Sequence, residues 1–160
     1  MSWRAATLAV LAALSGGPIS TYAIEVVTVV SPSGVQLRPG ASAQVVLQVV
    51  VKPGYHVQAN PVENPSLIPI TLKIDGAKDI SVGEPLYPSA KRLRLPGDNQ
   101  DLVVYDGSFA IGVPLEVARD ATAGQTVTLR GSLRYQACDD SHCLFPVTLP
   151  VALSIAVRER

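Results

Sequence analysis

The chain reads as an all-β domain built as a two-layer antiparallel sandwich. Apolar residues alternate with period two through most of the sequence after residue 23, turn signals separate the runs, and no convincing helical period of about 3.6 residues appears there. Successive side chains of a strand point to opposite faces, so each alternating run is a strand with one face on a core.

Residues 1–23 stand apart. Arg4 supplies a positive start, Ala5 to Leu14 form a short apolar run, and Gly16, Gly17 and Pro18 break it. Thr21-Tyr22-Ala23 then fits a small-x-small cleavage site, the pattern of a secretory signal peptide. The apolar run is well short of the roughly 20 residues a spanning helix needs. The expectation is a signal peptide over 1–23 and one exported, soluble domain over 24–160 with no membrane span. An uncleaved anchor or a buried first helix is the alternative. Residues 24–160 have the length of a single domain. Lys plus Arg and Asp plus Glu number 13 each, a formal charge of zero. That balance argues against nucleic acid or an anionic membrane surface as partner.

Along the chain, Val45, Leu47, Val49 and Val51 mark a strand, and Ile70, Leu72 and Ile74 another. Leu102–Tyr105 and Ser108–Val117 flank Asp106-Gly107, which predicts a tight hairpin. Phe109, Ile111, Val113, Leu115 and Val117 share one face of the second run. Val127, Leu129, Leu133 and Tyr135 form the next strand, and Val147, Leu149, Val151, Leu153, Ile155 and Val157 the last. Pro32-Ser33-Gly34, Pro39-Gly40, Pro53-Gly54, Asp75-Gly76, Pro96-Gly97 and Ala123-Gly124 supply further turns. Pro114 and Pro150 fall within strand patterns, where proline indicates an edge strand or a bulge. About seven or eight short strands at this spacing predict an immunoglobulin-like sandwich. Glu84 to Gln100 breaks the pattern with Pro85, Pro88 and Pro96 beside Lys91, Arg92 and Arg94. It reads as a long loop, functional or simply solvated.

The chain's two cysteines lie in Tyr135-Gln136-Ala137-Cys138-Asp139-Asp140-Ser141-His142-Cys143-Leu144-Phe145-Pro146, between two strand runs. Facing residues of an antiparallel pair have Cα atoms about 4.5–5.5 Å apart, and a disulfide spans about 4.4–6.8 Å. The spacing therefore permits a Cys138–Cys143 bond. As a staple it contributes little: closing a loop of about six residues gives roughly 2 kcal/mol in the chain-entropy model. It also joins points that a hairpin already holds, which tilts the reading toward redox use. His142, as an imidazolium, would raise the thiolate fraction of Cys143, and Asp139 and Asp140 would oppose it. Three readings stay open on the residues alone. The pair is redox-active, or it is a structural disulfide in an exported binding module, or it joins His142 and His56 in a copper or zinc site. In the bland case His142 is an exposed loop residue and His56 ordinary strand surface. No nucleophile elbow, phosphate-binding glycine loop or aromatic-interleaved basic surface is present.

The cysteine segment resembles the active-site region of the periplasmic N-terminal domain of the thiol:disulfide interchange protein DsbD. Gly54-Tyr55-His56-Val57-Gln58-Ala59-Asn60, Leu86-Tyr87-Pro88 and Val104-Tyr105-Asp106-Gly107, with the strand ending Pro114-Leu115, match that family in order and spacing. The resemblance covers nearly all of 24–160. It implies an immunoglobulin-like sandwich acting as a thiol-disulfide oxidoreductase of protein-disulfide reductase type. No cofactor is needed, because the chemistry is thiolate attack on a disulfide. Cys143 would form the mixed disulfide with a partner, and Cys138 would resolve it. His56, Gln58, Tyr135, His142 and Phe145 would line the site. Leu93, Arg94 and Leu95 would belong to a cap loop that shields the sulfurs until a partner docks. His56 and Gln58 stand where the family carries aromatic residues, and leucines and arginines replace the usual aromatic of the cap. The implied acceptors are thioredoxin-like periplasmic proteins such as disulfide isomerases or cytochrome c maturation thioredoxins. With the sequence closing at Arg160, the donor is expected to be a separate membrane thiol protein, and the domain a monomer.

Overall fold

The computed structural model describes residues 25–159, apart from Pro96, Asp98 and Asn99. The signal peptide expected over 1–23 lies outside the described residues. Those residues form twelve strands and no helix. They are β1 (Val27–Val30), β2 (Val35–Leu37), β3 (Ser42–Val51), β4 (His56–Gln58), β5 (Thr71–Ile74) and β6 (Ile80–Val82). The remainder are β7 (Lys91–Leu93), β8 (Leu102–Tyr105), β9 (Ser108–Val117), β10 (Thr126–Tyr135), β11 (Ala137–Cys138) and β12 (Val147–Val157).

The long alternating runs build the sandwich. One sheet has the order β1-β3-β9-β6 and the other β2-β12-β10-β5. The β3–β9 ladder runs from Ser42↔Glu116 to Val50↔Ser108, and the β10–β12 ladder from Thr126↔Ala156 to Tyr135↔Val147, both antiparallel. Of the strand ladders among the described residues, only β2 against β12 is parallel. The odd-numbered face of each long strand points inward. Leu47, Val49, Ile111 and Val113 from one sheet meet Leu129, Leu133, Leu153 and Ile155 from the other, none more than 1% exposed, in one core. Each such side chain contributes about 1.5–3 kcal/mol by leaving water. A one-residue slip would turn the whole set outward, so burial also sets the register. This is the all-β, immunoglobulin-like sandwich expected from the alternation.

Four local expectations are refined or corrected. The strand count exceeds the expected seven or eight because short strands form a third sheet, β11-β4-β8-β7. Asp106-Gly107 does turn the chain, with Gly107 at a φ of 60° that favours glycine. It does not close a hairpin, because β8 pairs with β4 and β7 while β9 pairs with β3 and β6. The Gly107 carbonyl instead accepts from the Val51 N–H at 2.7 Å, so the turn hands the chain from the third sheet to the core sheet.

Pro114 lies on a central strand, not an edge. Its carbonyl accepts from the Gly83 N–H at 2.9 Å. The N and O of one residue face the same side of an antiparallel strand, so the missing N–H also faces Gly83, where β6 has already ended. Pro150 does sit on a locally free edge, since β2 reaches only Ile155–Val157 of β12.

Glu84–Gln100 is not one loop. Lys91–Leu93 forms β7 against β8, and Leu86 bridges to Gly112. The Leu72 N–H donates to the Tyr87 hydroxyl at 2.9 Å, which ties this stretch to the second sheet.

Candidate functional site

The third sheet carries the cysteines. After β10 ends at Tyr135, β11 turns away from β12 and pairs with β4, setting Ala137 opposite Val57 and Cys138 opposite His56. A tight loop then reverses the chain. The Asp139 carboxylate accepts from the backbone N–H groups of Ser141 and His142, each at 2.7 Å, and the Asp139 N–H donates to the His142 carbonyl at 2.9 Å. Those N–H bonds, Ser141 first, hold the Asp139 carboxyl below the usual carboxylate range because they favour its charged form. The Leu144 N–H donates to the Ala137 carbonyl at 2.8 Å, and the Gln136 side-chain amide donates to the Leu144 carbonyl at 2.9 Å. Cys143 is thereby returned opposite Cys138. Their Cα atoms are 4.0 Å apart and their sulfurs are bonded.

The two halves of the bond differ in access. Cys138 is 3% exposed, while Cys143 stands exposed on the loop. A hollow beside them is lined by His56, Gln58, Leu67, Leu95, Leu102 and the 138–143 loop. An incoming thiolate can approach this disulfide at the Cys143 side.

His56 is not strand surface. It is 4% exposed and Gln58 2%, because β4 lies between β11 and β8. Both line the hollow, as their shared face requires, and Val57 between them is fully buried. Among the described residues, the Nε2 atom of His56 has no hydrogen-bond partner. Burial pushes the His56 pKa down, against the opposing pull of Asp140, Asp106 and Asp139.

His142 is exposed on the rim of the hollow. Leu95 lines it. Leu93 lies in the adjoining depression with His56, Asp106 and Asp140. Arg94 lines neither hollow, and its Nε donates to the Asp101 carboxylate at 2.7 Å. Two further ion pairs hold the segment, Lys91 with Asp106 and Arg92 with Glu63. Tyr135 is not among the lining residues. It is 3% exposed in the hydrophobic core, and burial raises its pKa. Phe145 also stands outside the hollow, 91% exposed.

Sequence reasoning missed Leu67, Leu102 and Asp106 as neighbours of the site. Leu102 was legible as a strand residue, but nothing local placed it beside the sulfurs. Leu67 sits in a stretch with no period at all.

The sulfurs are bonded to each other, so in this state they are not metal ligands. Among the described residues no cluster of three or more His, Cys, Asp or Glu is arranged to hold a metal ion, and no helix is long and apolar enough to cross a membrane.

The family model of the N-terminal region of the thiol:disulfide interchange protein DsbD matches residues 26–154. Among solved structures, the chain is similar to the reduced N-terminal domain of DsbD from Neisseria meningitidis at 18% identity and a TM-score of 0.45, over 74% of this chain and 78% of that one. It is also similar to the N-terminal periplasmic domain of ScsB from Proteus mirabilis at 14% identity and a TM-score of 0.48. That alignment covers 80% of this chain and 44% of the other, so the chain spans less than half the length of that structure. No curated protein matches the chain.

Proposed function

The chain belongs to the family of the N-terminal domain of the thiol:disulfide interchange protein DsbD, and from that membership we propose that it relays electrons in the periplasm through Cys138 and Cys143. The observation that carries this reading is the unequal access to one disulfide, with Cys143 exposed and Cys138 3% exposed. In the dithiol form, the Cys143 thiolate attacks an oxidised partner's disulfide and releases the partner's other sulfur as a thiolate. Cys138 then attacks the Cys143 sulfur. The Cys138–Cys143 bond forms, the partner's second thiolate leaves, and two electrons have passed to the partner. A membrane thiol donor restores the pair by the reverse exchange.

Thioredoxin-like periplasmic proteins fit as acceptors, because their exposed disulfides suit attack by an accessible thiolate. Cytochrome c maturation thioredoxins fall within that class. The signal-like pattern of residues 1–23 supports export. We assign Leu93 and Leu95 to the cap, with Arg94 and its ion pair holding the segment in place.

The reading is tested by trapping. Reduced Cys138→Ser protein, mixed with oxidised thioredoxin-like proteins, accumulates a mixed disulfide at Cys143, and Cys143→Ser accumulates little at Cys138. A reduction potential below about −300 mV, the range of stable structural disulfides, together with no trapped partner, rejects the relay.

A further inference from the structure

Burying a polar atom without a hydrogen bond destabilises a fold, so the Nε2 of His56, which has no partner among the described residues, calls for a use. His56 stands directly across the β4–β11 ladder from Cys138, and both line the same hollow. Facing residues on one side of such a ladder have Cβ atoms about 4.5–5.5 Å apart, close enough for their side chains to interact. We propose that His56 is the base that takes the proton of the Cys138 thiol, making the buried cysteine a competent resolving nucleophile. The proposal rests on the relay reading and adds to it the group that moves a proton.

The need arises from burial. Cys143 is exposed and can lose its proton to water. Cys138, 3% exposed, must ionise where desolvation disfavours a thiolate. An imidazolium formed beside that thiolate offsets the penalty. Burial keeps His56 below its ordinary pKa, so at neutral pH the ring is free to accept a proton.

The surrounding charges then favour the imidazolium. Asp139 and Asp140 face His56 from the loop after β11, and Asp106 from the turn after β8, with Asp106 also paired to Lys91 of β7. Arg92 and Arg94 are held away by Glu63 and Asp101. On β8 the Tyr105 hydroxyl is occupied in donating to the Pro88 carbonyl at 2.9 Å. His142, the remaining nearby imidazole, is exposed on the rim.

The step balances. In the mixed disulfide, the Cys138 thiol gives its proton to Nε2 of His56, and the resulting thiolate attacks the Cys143 sulfur. The Cys138–Cys143 bond forms as the Cys143–partner bond breaks, and the partner's sulfur leaves with the electron pair as a thiolate. Once the disulfide has closed, the buried imidazolium gives its proton to solvent, and Cys138 takes up a proton again when the donor next reduces the bond.

The test uses the Cys143→Ser protein, in which Cys138 is the remaining thiol of the chain. Its ionisation is followed by thiolate ultraviolet absorbance with His, Gln or Phe at position 56, Phe serving if a buried Gln prevents folding. The expected result on removing His56 is a fall of about tenfold in the Cys138 thiolate fraction near neutral pH, equivalent to about one unit of pKa. With both cysteines present, resolution of a Cys143–glutathione mixed disulfide should shift its pH profile upward by the same amount. An identical Cys138 titration with His, Gln and Phe overturns the proposal. Trapping of a protein partner by Cys138→Ser keeps the two ideas apart. Trapping with an unchanged Cys138 titration sinks the proton transfer alone, and no trapping with a shifted titration sinks the relay alone.

Discussion

Cys138 lies on β11, closed over to 3% exposure, and Cys143, its bonded partner with a Cα 4.0 Å away, stands open on the returning loop. Reduction releases two thiols with unequal access. Iodoacetamide added to the reduced domain should modify Cys143 at least about tenfold faster than Cys138, since reactivity follows access and thiolate fraction. Peptide mapping by mass spectrometry after brief labelling reads the ratio, and equal rates would contradict the observed burial.

His56 makes the oxidised domain sensitive to acid. Burial lowers its folded pKa below the ordinary value of about 6.5. As pH falls through about 6.5 the unfolded chain takes up a proton that the folded chain refuses, so stability falls with pH until the folded pKa is reached. Above about 6.5 both states are neutral and the contribution is flat. His56→Phe should remove this slope, as read by urea midpoints between about pH 5 and 7, whatever its effect on the absolute midpoint. An unchanged slope would place the titrating group elsewhere. Asp139, whose folded pKa is also depressed, acts in a lower window, losing its contribution as pH drops below about 4.

The segment proposed as the cap is fastened by exposed ion pairs, Arg94 with Asp101 and Arg92 with Glu63. Exposed pairs are weak and screened by salt. Arg94→Ala should therefore speed reduction of the disulfide by a small dithiol by about two- to threefold. High salt should produce the same change in the wild type and little further change in the variant. A rate independent of both would show that the cap does not limit access.

Phe145 is 91% exposed, two residues beyond Cys143. Phe145→Ala should leave stability within about 0.5 kcal/mol, as for surface substitutions generally. It should slow exchange with a thioredoxin-like protein several-fold while leaving exchange with a small dithiol unchanged. Equal effects on both substrates would remove Phe145 from partner contact.

Gly131 tests the second sheet. A Cβ built there would stand 2.1 Å from the Lys73 carbonyl oxygen and 2.8 Å from the Ile74 Cα, both backbone atoms of β5. Gly131→Ala must displace that strand, and an overpacking cost of about 1–3 kcal/mol or more is expected in denaturant unfolding. A near-neutral result would mean that β5 yields without loss.

The long strands were legible because alternation over ten or eleven residues repeats one message many times. β4, β7 and β11 were not, since two or three residues cannot show a period. In β4 all of His56, Val57 and Gln58 are buried, so no polar face existed to read. Asp106-Gly107 misled for a related reason. A tight turn looks the same locally whether its flanking strands pair with each other or depart to different sheets.

The sequence by itself determined the sandwich, the odd-numbered core face of its long strands and the family, and it permitted the pairing of Cys138 with Cys143. Each of these rests on residues close together in the chain or on a period repeated along it. Only the tertiary structure decided which sulfur is open, that His56 is buried opposite Cys138, and that Tyr135 and Phe145 stand outside the hollow. Burial is a property of what packs across a residue. Here the packing comes from β8 and the segment around Leu93 and Leu95, brought by the fold from about thirty to fifty residues away along the chain.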